Sequence, residues 1–331
     1  MAARRARRPS SSFSPRTEGP DAPRTTRRGS WPGWGLAGLA GLGAVLGTSL
    51  LALIWPRPDP SSSLRDEITV ATLAPKPRDS VTVLVIGSDA DTLGAATNKA
   101  APAGPANSDT VLLVRVNRRG PLQVLQVPSE LALSLPGRSG PVALGALYRA
   151  GGVTLTREAV RELLDLKDGA PERFIVVPRQ ALRTLVDDLG GLEVSPPRRM
   201  KYRDQSQKLT IDLQSGLQRL PGAKVEQLAR FRDKWLGESG RRTNQEEVLG
   251  GLRDQLAQPS LVPRLPAIVN TWSKEVETDL SPREMLSLLA AALDKPEPMR
   301  IQTLPLKPAT KEYPELRQLD PGAPRPLWPK P

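Results

Sequence analysis

The chain has 331 residues, enough to bury a core, and contains neither cysteine nor histidine. That excludes disulfides, thiol or imidazole chemistry, zinc fingers and Ser-His-Asp catalysis, and leaves carboxylates, arginines, hydroxyls, water or a hard metal ion held through oxygen. The net charge of +12 suggests nucleic acid, but half of it comes from residues 1–33, where eight arginines face only Glu18 and Asp21; the remainder is mildly basic.

In chain order, residues 1–33 read as a basic, disordered cytoplasmic tail rich in Arg, Ser and Pro. Residues 34–55, 22 in a row without a charge, are long enough to cross a hydrocarbon core of about 30 Å, and Trp31, Trp34 and Trp55 sit at the edges as interfacial anchors. The arginines precede this transmembrane helix, which sets the tail in the cytoplasm and the rest outside, in the plasma membrane and periplasm. A cleaved signal peptide is the competing reading; the apolar run is longer than the usual h-region. Residues 56–79 form a linker.

The apolar β-prone run at 81–87 predicts a strand buried on both faces. Strands at 110–117 and 122–127, joined by Arg118-Arg119-Gly120-Pro121, predict an antiparallel hairpin. Helices are predicted at 156–166 and at 179–191, the second closing at Gly190, with the strand ERFIVVP between them. A strand at 209–213, a helix at 244–257, a capped helix opening at Ser281-Pro282 with Glu284 at N3, and a last strand at 299–306 follow. From 308 the chain is a loose, Pro-rich tail. Alternating strands and helices predict an α/β domain over 80–307, three-layer α-β-α with a mixed central sheet.

The hairpin geometry brings Asp89, Asp109 and Glu130 to one rim. Oxygen ligands there suit Mg²⁺, while turn capping is the alternative for Asp89 and Asp109. Residues 228–247 gather Arg230, Arg232, Arg241, Arg242 and Lys234 around Glu238, a pattern for a phosphate ester or, blandly, a solvated charged face. If 228–232 is extended, Arg230 and Arg232 share one side and Phe231 faces the other; in a helix the two would diverge.

The stretches GSDA (87–90), NSDTVLLVRVN (107–117), VPSE (127–130), LPG (135–137), ALYRAGG (146–152), VDDLGGLEV (186–194), LARFR (228–232) and GESGRRTNQ (237–245) occur in the order seen in the LytR-CpsA-Psr family. The chain resembles that family over residues 80–307. The resemblance implies an enzyme that moves a glycan polymer from a polyprenyl-pyrophosphate carrier onto peptidoglycan with Mg²⁺ as cofactor. It carries the family's carboxylate onto Asp109, its paired arginines onto Arg230 and Arg232, and its acid, arginine and glutamine onto Glu238, Arg241 and Gln245. By that carry-over Arg230, Arg232, Arg241 and Gln245 bind pyrophosphate. Asp109, Glu238 and Arg241 are catalytic, with Asp109 or Glu238 as the base, and Asp109 and Glu130 hold the metal. Arginines and metal neutralise the leaving pyrophosphate as the sugar–phosphate bond breaks.

Three departures stand out. Pro128-Ser129-Glu130 replaces Pro-Arg-Asp, Asn244 stands where an arginine is expected, and an asparagine is lost near Gly145. A pyrophosphate hydrolase and a non-catalytic envelope-binding module are therefore the competing classes. A DNA-binding regulator is disfavoured, since the basic tail is short and the folded part lies across the membrane.

Overall fold

The computed structural model describes residues 68–95, 105–204, 209–295 and 297–323. The expected tail at 1–33 and span at 34–55 lie outside them, and among the described residues no helix is long and apolar enough to cross a membrane.

Six strands form the central sheet: β1 (Val81–Ser88), β2 (Ser108–Val116), β3 (Gln123–Gln126), β6 (Arg173–Val177), β11 (Glu277–Thr278) and β12 (Arg300–Thr303), in the order β11-β6-β1-β2-β3-β12. β1 runs antiparallel to β2 and parallel to β6, and β3 runs antiparallel to β2 and parallel to β12, so the sheet is mixed as expected. Two-stranded additions pair β4 (Ala132–Leu133) with β5 (Val142–Ala143), β7 (Leu192–Val194) with β10 (Gln218–Leu220), and β8 (Met200–Asp204) with β9 (Leu209–Leu213).

Period-two alternation divides the sheet residues between two faces. Leu84, Ile86, Val111, Leu113 and Leu125 pack on α1 (Leu144–Leu163), whose inward residues are Leu144, Leu147 and Val160. On the other face Ile175 and Val177 pack on α2 (Arg179–Asp188), α5 (Leu265–Trp272) and α6 (Pro282–Leu293) through Ala181, Val269 and Met285. Helices thus cover both faces, and the three layers follow. A further core joins α2, α3 (Gly222–Arg230) and α4 (Gly237–Leu256) through Val186, Val225, Leu228 and Val248.

Local signals were sound where the cause is local. The capping box forms at α6: the Ser281 hydroxyl accepts from the Glu284 amide and the Glu284 side chain accepts from the Ser281 amide. Gly190, at φ +80, ends α2 by donating to the Asp187 carbonyl at 2.9 Å.

Two expectations need correction, and one open alternative is decided. The helix expected at 156–166 is the second half of α1, which starts at Leu144 and kinks at Gly151 and Gly152, where Gly152 takes φ +62. Residues 228–232 are not extended throughout. Leu228 to Arg230 close α3, and Phe231 is its C-cap, so the helix aims Arg230 and the following turn aims Arg232. The chain beyond 308 does not run loose: Arg317 N–H donates to the Glu130 carbonyl at 2.9 Å, the Ala132 N–H donates to the Arg317 carbonyl at 2.7 Å, and Leu306 bridges Leu319.

Candidate active site

The site starts with a defect in the β1–β2 ladder. Gly87 pairs with Thr110 but Ser88 pairs with Ser108, so Asp109 is the extra residue of a β-bulge. Regular alternation would turn Asp109 to the α1 face with Val111 and Leu113. The bulge re-aims it to the opposite face, where it lines a cavity.

That cavity, about 290 Å³, has the sheet as its floor (Val85, Leu112, Ile175, Val177) and α2, α3 and α4 as its walls. On α4, Arg241, Gln245, Val248, Leu249 and Leu252 line it at helical spacing. The wall therefore passes from charged to apolar within three turns. Its charged residues are Asp109, Arg179, Glu226, Arg230 and Arg241. β1 and β6 are parallel and end at Ser88 and Val177, next to Asp109 and Arg179, so the carboxyl ends of both strands meet at the charged end.

Arg241 is the hub. Its Nη1 lies 3.1 Å from Asp109 Oδ1, and its Nη2 lies 2.7 Å from Glu238 Oε2 and donates to Ser129 Oγ at 3.0 Å. Its side chain is 7% exposed, so a planar fork is held by three partners away from solvent. Glu238, one helical turn earlier on α4, also pairs with Arg232, which is 55% exposed and does not line the cavity. Glu238 is thus the carboxylate that keeps two guanidiniums beside each other.

A second knot centres on Glu226 of α3. Arg230 and Arg179 each reach its Oε1 at 3.2 Å and Arg183 pairs with Oε2, while Arg179 also pairs with Asp91. Burial pushes the Glu226 carboxyl up, but the Arg183 hydrogen bond and the charges of Arg183, Arg179 and Arg230 outweigh it and hold the group below its ordinary 4.5. A depressed carboxylate contributes stability that is full above its unfolded value and is lost as pH falls through its folded one. Denaturant unfolding is therefore expected to show stability falling below about pH 4.5, with a smaller fall in Glu226→Gln, itself weaker by about 3 kcal/mol at neutral pH. Equal acid sensitivity in the variant would refute this role.

Of the three acids expected on one rim, two meet. Asp109 and Glu130 line a small void of about 10 Å³, next to Ser129, Arg241 and Arg242. Asp89 is buried and accepts from the Asn107 amide at 2.8 Å, the turn-capping alternative. Glu130 pairs with Arg242, yet its Oε2 is buried without a hydrogen-bond partner. Two hard carboxylates and an unmatched buried oxygen fit Mg²⁺, which takes one or two protein carboxylates and completes its shell with water and phosphate. No group of three or more potential ligands occurs among the described residues.

The departures acquire structural partners. Ser129 accepts from Arg241, and Asn244 donates to the Phe231 carbonyl at 3.2 Å, fixing the backbone between Arg230 and Arg232. Gln245 donates to the Ala229 carbonyl at 3.4 Å. Gly145 donates to the Ser129 carbonyl at 2.9 Å, and a Cβ there would stand 2.7 Å from the Ser108 carbonyl oxygen, so a bare backbone holds the Asp109 strand against the Ser129 turn. Sequence reasoning gave no role to Arg179, Arg183 or Glu226, and placed Arg242 only in the basic cluster at 228–247. The one available signal was Pro178-Arg179 at the end of a buried strand.

The α/β domain thus carries a cavity that is apolar along its length and ends in clustered guanidiniums and carboxylates. Residues 59–317 match the LytR_cpsA_psr family, and the chain belongs to it. Among relatives, 248 residues are 28% identical to polyisoprenyl-teichoic acid–peptidoglycan teichoic acid transferase TagT of Bacillus subtilis, covering 73% of each chain. The TagV transferase of the same species is 25% identical over 55% of this chain and 47% of its own, and regulatory protein MsrR of Staphylococcus aureus 23% identical over 60% and 56%. The chain thus spans about half the length of these last two. The crystal structure of B. subtilis TagV shares the fold at TM-score 0.60 and 18% identity, covering 74% of this chain and 92% of that one. TagT bound to LI-WTA does so at 0.54 and 21%, covering 78% and 92%.

Proposed function

We propose that this protein is a membrane-anchored transferase that moves a glycopolymer from a polyprenyl-diphosphate carrier onto peptidoglycan. The cavity carries this reading: it is apolar along the sheet and α4 and charged at Asp109, Arg230 and Arg241, matching a prenyl chain joined to a diphosphate. The names of TagT and TagV support it. Residues 1–33 are the cytoplasmic tail, 34–55 the anchor, 56–79 the linker, and the catalytic domain lies outside the cytoplasm. Protease applied to intact spheroplasts should then digest the chain beyond residue 56.

Arg230, Arg241 and Gln245 bind the diphosphate from within the cavity, and Arg232 meets it from the solvent side. Breaking the sugar–phosphate bond, expected from the sequence, calls for a carboxylate pair free to flank the sugar. Here Asp109 and Glu238 are tied to guanidiniums, an arrangement that favours phosphoryl transfer, in which charge gathers on phosphate oxygens. The acceptor hydroxyl oxygen bonds to the glycan-bearing phosphorus, the anhydride P–O bond breaks, and polyprenyl phosphate leaves. The hydroxyl proton passes to Glu238. Asp109 and Glu130 would hold Mg²⁺, which would neutralise phosphate charge when bound.

The test is transfer by full-length protein in detergent, with lipid-linked glycan and peptidoglycan, across a Mg²⁺ titration. Wild type should need the metal, and Asp109→Asn should lose about a hundredfold in rate. Glycan released to water alone would mean a hydrolase, and binding without turnover an envelope-binding module. Equal Mg²⁺ response in Asp109→Asn would remove Asp109 from the metal site.

A further inference from the structure

Seven large apolar side chains are exposed among the described residues, and four of them, Tyr202, Leu217, Trp235 and Leu236, lie on segments joined to one another. The link is the stretch 196–204: the Gly216 amide donates to the Pro196 carbonyl at 3.0 Å, Arg198 donates to Asp233 at 2.9 Å, and Tyr202 lies on β8. Single exposed apolar residues are ordinary, whereas a group on adjoining segments marks a contact surface.

The turn between α3 and α4 holds its part of this group on a fixed backbone. One Asp233 carboxylate oxygen accepts from the Trp235 amide at 2.6 Å and from the Leu236 amide at 3.1 Å, and Arg198 donates to the other oxygen. The Asp233 carbonyl accepts from the Gly237 amide at 2.8 Å. Trp235 is 91% exposed on this turn, with Lys234 and Leu236 exposed beside it. Holding an indole in water contributes nothing to folding.

Cations accompany the apolar residues. Alternation along β8 turns Met200 inward, at 1% exposure, and sets Lys201 and Arg203 on the opposite face, both exposed, with Arg199 in the same phase just before the strand. Asp212 lies across from Lys201 on β9 and pairs with Arg199. The mixture fits a bilayer better than a protein partner. Lysine is depleted in protein interfaces, whereas aromatic rings settle at the membrane boundary and Lys and Arg meet lipid phosphates there.

We infer that this surface docks the domain on an anionic bilayer, with Trp235 and Leu236 in the headgroup layer and Lys201, Arg203 and Lys234 against lipid phosphates. The inference rests on the membrane anchor of the transferase reading; a tether alone leaves orientation free, and a second contact sets it. Arg232, at the start of the turn, pairs with Glu238, which pairs with Arg241 in the cavity. Docking here therefore brings the charged end of the cavity to the depth of the lipid phosphates.

The chain has no cysteine, so Leu236→Cys takes a single fluorophore on full-length protein, and so does Lys167→Cys, an exposed position ahead of the amino end of β6. Each protein is reconstituted in vesicles of phosphatidylcholine, with or without phosphatidylglycerol, doped with a lipid that carries a quencher at headgroup depth. In the anionic vesicles the label at 236 should be quenched and the label at 167 should not. Lys201→Ala with Arg203→Ala should lower the docked-to-free ratio about twentyfold, roughly fivefold per cation, and phosphatidylcholine alone should weaken docking in the same direction. Trp235→Ala should lower it about tenfold. Unchanged thermal melting reports that the variants fold. Equal quenching at both positions, quenching indifferent to lipid charge and to these substitutions, or a label at 236 that answers only added peptidoglycan overturns the inference. Labelled protein that fails to float with the vesicles would bring down the anchor, and the inference with it.

Discussion

Arg241→Ala should reduce transfer about a thousandfold, the upper range for deleting one preorganised donor to developing anionic charge. The reason is its position: one guanidinium spans Asp109 on β2, Ser129 beyond β3 and Glu238 on α4, so its loss removes the proposed phosphate ligand and disconnects three elements. Folding should suffer less. Asp109 is 42% exposed and can rehydrate, so the cost is about 1–2 kcal/mol, below the 3–5 of a fully buried pair. Arg241→Lys should recover little, because a point charge cannot bridge partners arranged for a fork. Single-turnover transfer together with thermal unfolding separates the two effects. Rates within tenfold of wild type for both variants would remove Arg241 from the chemistry.

Gly222→Ala should be among the most destabilising small substitutions in the domain. A Cβ at Gly222 would stand 2.2 Å from the Arg183 carbonyl oxygen, 2.7 Å from its Cα and 2.8 Å from its carbonyl carbon, all backbone atoms that no rotamer change can clear. The Gly222 amide also donates to Asp187 Oδ1 at 2.7 Å, fixing α3 on α2 from its first residue. Separating the helices should cost about 3 kcal/mol, roughly 6–12 °C in Tm for a domain of this size, and should part Glu226 from Arg183. Gly250→Ala, within α4 and with nothing within 4 Å of the added Cβ, should instead gain about 1 kcal/mol. Opposite Tm shifts for the same chemical change would show that the close approach at Gly222 governs its effect; equal shifts would refute it.

The sequence alone determined the longer strands of the sheet, several of the helices and the chemistry available to them, but not α3, α5 or the short strands β4, β5, β7, β8, β10 and β11. Strand β1 was legible because a continuous apolar run admits few alternatives, and α6 because Ser281, Pro282 and Glu284 act within one turn. The absence of histidine and cysteine confined the site to carboxylates and arginines, and the ordered motifs singled out Asp109, Arg230, Arg241 and Gln245, all of which line one cavity. Tertiary structure decided where these side chains point and what they touch. The direction of Asp109 depends on a ladder shift against Gly87 and Ser88, some twenty residues away, and periodicity within β2 cannot encode it. The aim of Arg230 stayed open in the sequence because the end of α3 depends on how Phe231 enters the core, held there by Asn244. Arg179 and Arg183 became site residues, and Arg242 gained Glu130 as its partner, only when α2, α3 and α4 closed around the sheet, and the expected loose tail joined the domain through pairing with Glu130 and Ala132. Local propensity and spacing act over a turn or a pleat, whereas an ion pair or a bulge needs two segments brought together by the whole fold.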